Sequence, residues 1–185
     1  QRDALVQEVH HRIKNNLQGI MGMLRTLDHQ HPDLHAPITQ VIGQIHSISV
    51  IHGLQGRANA DRVRLCELTS AVAAGIESLW HTPIHVDIPT PWQACRISPT
   101  EAVPVALVLN ELMINAVKHG GQEHQDVQVT LRKGAQPDQV HITIANPGQW
   151  PASPVSAKGG QSLVSALMPR NGAALTRTQL AHWAV

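Results

Sequence analysis

Two long apolar stripes in the first third of the chain constrain its fold most. Leu5, Val9, Ile13, Leu17, Ile20, Leu24 and Leu27 recur at helical spacing over residues 2 to 28. Ile38, Ile42, Ile45 and Ile48 do the same over residues 36 to 57. Between them, "HQHPDLHAP" carries two prolines and reads as a turn. The pattern predicts a helical hairpin. Two helices with one stripe each cover only part of that surface against each other, and the usual remedy is pairing with a second hairpin into a four-helix bundle. The expectation is a homodimer.

After "GRANADR" the pattern changes. "LCELTSAVAAGIESLW" reads as a helix, "IHVDI" as a short alternating strand, and "PTPWQACRISP" as a proline-bounded connection. A strongly apolar helix follows over 101 to 118, with Pro104 tolerable in its first turn and "HGG" ending it. "DVQVTLR" and "QVHITIA" read as two strands, and "KGAQPDQ" between them has the composition of a hairpin loop. A Pro-, Ser- and Gly-rich stretch from 147 to 160 precedes a last helix, "QSLVSALM". The chain then stops at "AHWAV", where one more strand is expected. Helices and antiparallel strands in mixed order predict one helical layer on one sheet. The expected fold class is α+β, with a helical hairpin over 1–58 and an α/β sandwich over 62–185.

Composition narrows the function classes. With 42% hydrophobic residues in 185, the chain can build a core, and with 15% charged residues and a net charge of +1 it lacks the basic footprint of a nucleic-acid binder. No nucleic-acid partner is expected. The opening QRDALVQ is no signal pattern, and the apolar run "VPVALVL" is too short to span a bilayer. The expectation is a cytoplasmic stretch without direct membrane insertion, such as the cytoplasmic part of a longer sensor protein. Cys66 and Cys95 lack C-x-x-C spacing, so neither zinc nor a disulfide is suggested, and both read as buried, reduced thiols. Of the 13 histidines, His29, His31 and His35 surround a proline in a polar stretch and read as a solvated turn rather than a metal cluster.

The chemistry concentrates in two places. On a wheel of about 100° per residue, His11 of "EVHHRIKNNLQ" points away from the apolar stripe, among Gln7, Lys14, Asn15 and Gln18, while His10 flanks the stripe. An exposed imidazole beside amides and cations suits a nucleophile that is largely neutral at pH 7. Phosphoryl transfer, which depends on positioning and charge stabilisation, is a natural chemistry for it. In "NELMINAVKH", Glu111, Asn115, Lys118 and His119 share one stripe of an otherwise apolar helix. Buried polar groups need partners, supplied either by the protein or by a ligand such as Mg²⁺ with phosphate oxygens. Two weaker features are "ITIANPGQW", a strand ending in Asn146 before Gly148, and "KGGQSLV", with Gly159 and Gly160 before a helix.

Taken in order, these pieces resemble the two-component sensor histidine kinases, in the subfamily whose acceptor motif reads H-R-x-K-N-N. The resemblance implies a dimerisation and phosphoacceptor hairpin followed by a Bergerat-type ATP-binding domain. The family's phosphorylated histidine directly precedes the arginine, which is His11 before Arg12. "NELMINAVKH" would be the N box, with Asn115 the Mg²⁺ ligand and Glu111, Lys118 and His119 around the ATP phosphates. Asn15 matches the position that orients water for dephosphorylating a response regulator. The acidic base found beside the histidine in other subfamilies is absent, and Glu8, one turn earlier, is a candidate substitute.

The nucleotide side departs from the family pattern. Where D-x-G-x-G is usual, this chain has Asn146, Gly148 and Trp150. An Asn carbonyl still accepts a bond from the adenine amino group, but without charge assistance, a difference of about 1 kcal/mol or roughly tenfold in affinity. The lid, about 151 to 158, is short, and Gly159 and Gly160 are what remains of the last glycine-rich motif. Two functions compete. One is a kinase that phosphorylates His11 from ATP and passes the group to a response regulator receiver domain. The other is a degenerate module that binds no ATP and acts in phosphotransfer, as a phosphatase, or as a regulator-binding scaffold.

Overall fold

The computed structural model of the chain describes residues 2–55, 62–90, 92, 95–120, 126–136, 139–147, 160–168, 173–180 and 183–184. Helices α1 (Arg2–Gln30) and α2 (His35–Gln55) form the hairpin. The turn between them is a short 3₁₀ helix, Pro32–Leu34, and the His35 N–H closes it on the Pro32 carbonyl. Proline suits this first position, because its ring presets φ and its missing N–H would have had no partner there.

The hairpin has a small core of its own: Met21, Ile38 and Ile42 are buried, with Leu24, Ile45 and Leu79 packed beside them. Much of the α1 stripe remains open. Leu5 is 67% exposed, Val9 47% and Ile20 41%.

The second half contains β1 (Val63–Arg64), α3 (Leu65–Trp80), β2 (Ile84–Asp87), β3 (Arg96–Ile97), α4 (Pro99–His119), β4 (Val127–Lys133), β5 (Val140–Pro147), α5 (Gly160–Leu167), β6 (Gln179–Leu180) and β7 (Trp183–Ala184). The main sheet has the order β2-β4-β5-β7-β6, and β1 pairs with β3 separately. Strands β2 and β4 are parallel, from Ile84 opposite Val127 to Asp87 opposite Thr130. Parallel neighbours need a long crossover, and α4 provides it. Strands β4 and β5 are antiparallel, with Lys133 opposite Val140.

Alternation on β4 buries Val127, Val129 and Leu131. These join Leu68, Val72 and Ile76 of α3 and Ala106, Leu109 and Met113 of α4 in one core. Ile51 of α2 belongs to that core too, so the hairpin is anchored on the sandwich's helical layer.

Several expectations are corrected. The α4 helix starts at Pro99 rather than 101, because Ser98 and Glu101 form a reciprocal capping box. Pro104 therefore lies beyond the first turn, and the carbonyl it leaves without a helical donor is that of Thr100, an exposed residue. Two short strands, β6 and β7, extend the sheet where one was expected. Cys66 and Cys95 form no disulfide, and both are only half-buried. Thr100–His119 is long and apolar enough to cross a membrane, with mean hydropathy 1.3, which the shorter run "VPVALVL" concealed. In this fold α4 packs against α2, α3, α5 and the sheet.

Candidate functional site

On α1 the two adjacent histidines face different surroundings. His11, Arg12 and Asn15 are exposed, whereas His10 is half-buried with its Nδ1 3.0 Å from His52 Nδ1 of α2. The two rings lie 5.3 Å apart, tilted by 39°. Beside them is a cavity of about 530 Å³ whose lining includes His11, Lys14, His46 and Ala71.

Burial is the main cause that holds the His46 and His52 pKa values below the ordinary imidazole value. Arg25 adds to the effect at His46, and His10 at His52. The His46 ring fits only because Gly75 of α3 has no side chain, since a Cβ there would collide with Nδ1 and Cε1. Arg12 Nε donates to Glu8 Oε1 at 2.7 Å. That bond and the guanidinium charge hold the Glu8 carboxyl below its usual range. Glu8 is thereby a weaker proton acceptor than its position beside His11 suggested.

On α4 the polar stripe meets α2. Glu111 is 1% exposed, and its Oε1 accepts from Gln44 Nε2 at 2.7 Å. Gln40 Nε2 donates to Glu111 Oε2 at 3.3 Å. Lys118 Nζ donates to Gln40 Oε1 at 3.3 Å and sits 5.4 Å from the centre of the Trp80 ring. For Glu111, then, the protein itself supplies the partners. Asn115 is half-buried, and Lys118 and His119 are exposed at the end of the helix.

Three residues here escaped the sequence reading. Gln40 and Gln44 form a polar i, i+4 pair on α2, a visible but nonspecific signal. Asn110, directly before Glu111, is 1% exposed and its Nδ2 has no hydrogen-bond partner. It packs with Ile114 against Gly43, where the absence of a side chain lets α2 and α4 approach closely.

The strand β5 lies against α4 and ends near Asn146, whose backbone is opposite Ala184 of β7. Asn146 is 4% exposed and its Nδ2 also lacks a partner. A buried amide group without a partner is costly and suits a ligand that would satisfy it. Gly148, Trp150, the lid at about 151 to 158 and Gly159 lie outside the described residues, and Gly160 opens α5. His29, His31 and His35 are exposed at the hairpin turn, with His35 Nδ1 3.0 Å from both Asp28 carboxylate oxygens. Among the described residues no three His, Cys, Asp or Glu side chains cluster to hold a metal ion. The Asn115 carbonyl oxygen is of the type Mg²⁺ takes alongside retained waters.

Comparison with known proteins identifies the family and the fold. Residues 8–80 match the family model described as "Histidine kinase", and residues 88–176 match the one described as "Histidine kinase-like ATPase domain". The sensor histidine kinase PdtaS of Mycolicibacterium smegmatis is 22% identical over 120 residues, 64% of this chain and 24% of that protein. The chain thus spans about a quarter of the length of such curated relatives. The histidine kinase domain of the Erythrobacter litoralis EL346 blue-light activated histidine kinase superimposes with a TM-score of 0.64 at 20% identity, covering 98% of this chain and 88% of that one. Histidine kinase AdeS of Acinetobacter baumannii gives 0.55 at 13% identity, covering 92% and 90%. At these identities the structural likeness establishes the fold.

Proposed function

In architecture the chain is a sensor histidine kinase, and from that premise we propose that it phosphorylates His11 from ATP and passes the group to a response regulator aspartate. The observation that carries this is the contrast between the adjacent rings: His10 is tied to His52, and His11 is left exposed. A His11 ring nitrogen attacks the γ-phosphorus, the bond to the β–γ bridging oxygen breaks, ADP leaves, and the ring proton passes to solvent or base. In the second step a carboxylate oxygen of a receiver-domain aspartate attacks the same phosphorus and the N–P bond breaks. The exposed Asn15, one turn from His11, is positioned to orient water for the later dephosphorylation.

One observation among the described residues supports a nucleotide here: the buried Asn146 Nδ2 is a donor without a partner, and the ring nitrogen N1 of adenine could accept from it. Asn146 would face the base, Lys118 and His119 the phosphates, and Gly148, Gly159 and Gly160 would offer backbone N–H groups. Mg²⁺, held by Asn115, would supply charge neutralisation at the phosphate oxygens. Arg12, paired with Glu8, would lend positive charge beside the acceptor, and Glu111 would act near the γ-phosphate once free of α2.

The acceptor unit is residues 1–58 and the nucleotide unit 62–185. Packing supports this division in that Leu68, Val72 and Ile76 of α3 share their core with the sheet, although Leu79 packs beside Met21 of α1. A homodimer is supported by the open stripe on α1, where Leu5, Val9 and Ile20 would be covered by a second copy. The polar α1 surface around His11 is the docking face for the receiver domain, and the chain works in the cytoplasm.

A second reading, a phosphotransfer, phosphatase or scaffold module that binds no ATP, is favoured by one observation: Glu111 and Lys118 already have protein partners. Incubation with radiolabelled ATP and Mg²⁺ tests the kinase reading. Wild type should acquire acid-labile label and His11→Ala none. Label that persists in His11→Ala would refute the acceptor assignment.

A further inference from the structure

We propose that the cavity between α1 and α2 is a holding pocket for the phosphoryl group of phosphorylated His11, with the Lys14 ammonium as its counter-ion. The proposal rests on His11 being the acceptor, which the kinase and phosphotransfer readings share. It needs no ATP site in this chain.

Its first support is an unused cation. Two cations lie within one turn of His11, and the fold treats them differently. Arg12 is exposed and paired with Glu8 at 2.7 Å. Lys14 is half-buried, and among the described residues its ammonium has no ion pair or hydrogen bond. The titratable lining of the cavity is His10, His11 and Lys14 from α1 and His46 and His52 from α2, with Ala71 from α3 and no Asp or Glu. Drawing an ammonium partly out of water without a counter-charge is unfavourable, and an arriving anion would remove that cost.

The second support is a convergence of donors. Ser49 lines the cavity, is 6% exposed, and its hydroxyl has no hydrogen bond among the described residues. It stands three residues before His52, and Lys14 stands four after His10. With His10 beside His52 in an antiparallel hairpin, Ser49 and Lys14 are about level. The histidine pair supplies another donor. Its Nδ1 atoms meet at 3.0 Å, so with both rings neutral one donates there and the accepting ring keeps its proton on Nε2.

Reach and room are sufficient. Residues three apart on a helix, such as His11 and Lys14, have Cβ atoms about 5 to 6 Å apart. The volume of about 530 Å³ takes a phosphoryl group and several waters of about 30 Å³ each. Because the group arrives on a covalent tether, its effective concentration is high and the pocket needs little affinity of its own.

The test phosphorylates the full chain chemically with phosphoramidate. A His11 ring nitrogen attacks phosphorus, the P–N bond of the reagent breaks, and ammonia leaves. Phosphorus NMR follows the product, and the resonance that His11→Ala removes belongs to His11 among the 13 histidines. Its shift against pH reads the second ionisation of the phosphoryl group, which a nearby cation favours. Lys14→Met keeps the aliphatic stem and removes the charge, and should raise that pKa by about 1. Ser49→Ala should raise it by less. A pKa that Lys14→Met leaves unmoved overturns the pocket and leaves the acceptor reading standing. If His11→Ala removes no resonance, His11 is not the acceptor and the pocket falls with that reading.

Discussion

Helices α1 and α4 each carry polar residues suited to phosphate chemistry, and the fold treats them in opposite ways. On α1 the protein satisfies the neighbour, bonding His10 to His52, and leaves His11 in solvent. On α4 it satisfies the candidate residue itself, closing Gln40 and Gln44 over Glu111. Both helices lie against α2, so the difference comes from what α2 offers at each level: an imidazole near its end, and two amides nearer its start. Availability of a chemical group is thus set by the packed neighbour and not by the motif that contains it.

The acceptor end depends on close packing, and Gly75→Ala attacks it most severely. The added Cβ would displace the half-buried His46 ring, for about 1 to 3 kcal/mol of destabilisation by overpacking. Denaturant unfolding checks it, and an unchanged midpoint would mean that the groove yields easily. At the nucleotide end, Asn146→Leu should weaken Mg·ATP roughly tenfold, about 1.4 kcal/mol, by removing the amide that would contact the base. The same variant should melt no lower than wild type without ATP, because it no longer buries an unpartnered amide nitrogen. Nucleotide affinity that does not move would place the base elsewhere.

The smallest expected effect is on pH. His46 and His52 are held below the ordinary value of 6.5 when folded, so the unfolded chain takes up protons that the folded rings refuse. Their contribution is complete above about pH 6.5 and is lost as pH falls below it. His52→Gln should flatten the fall in thermal midpoint below that pH. A slope equal to that of wild type would remove His52 from the account.

Much of this was legible in the sequence, for identifiable reasons. Helix α3 announced itself because Leu65, Leu68, Val72 and Ile76 keep one period and a left-handed His81 and then Pro83 end it. The start of α4 is readable too, in the Ser98-to-Glu101 capping pattern, although Pro104 by itself points to a later start. The β1–β3 pair was not readable, since two residues per strand carry no periodicity. The partners of Glu111 were beyond reach in a different way. Gln44 and Gln40 stand 67 and 71 positions away, and nothing local distinguishes them from other surface amides. The motif marked where chemistry belongs, and packing alone revealed that α2 covers it.

The most direct test of the central claim is calorimetric titration of the chain with Mg·ATP, alongside Asn115→Ala. Saturable binding in the micromolar range that the substitution abolishes is the predicted result. Absence of binding at millimolar ATP would contradict it and leave His11 as a phosphotransfer or docking site served by another kinase.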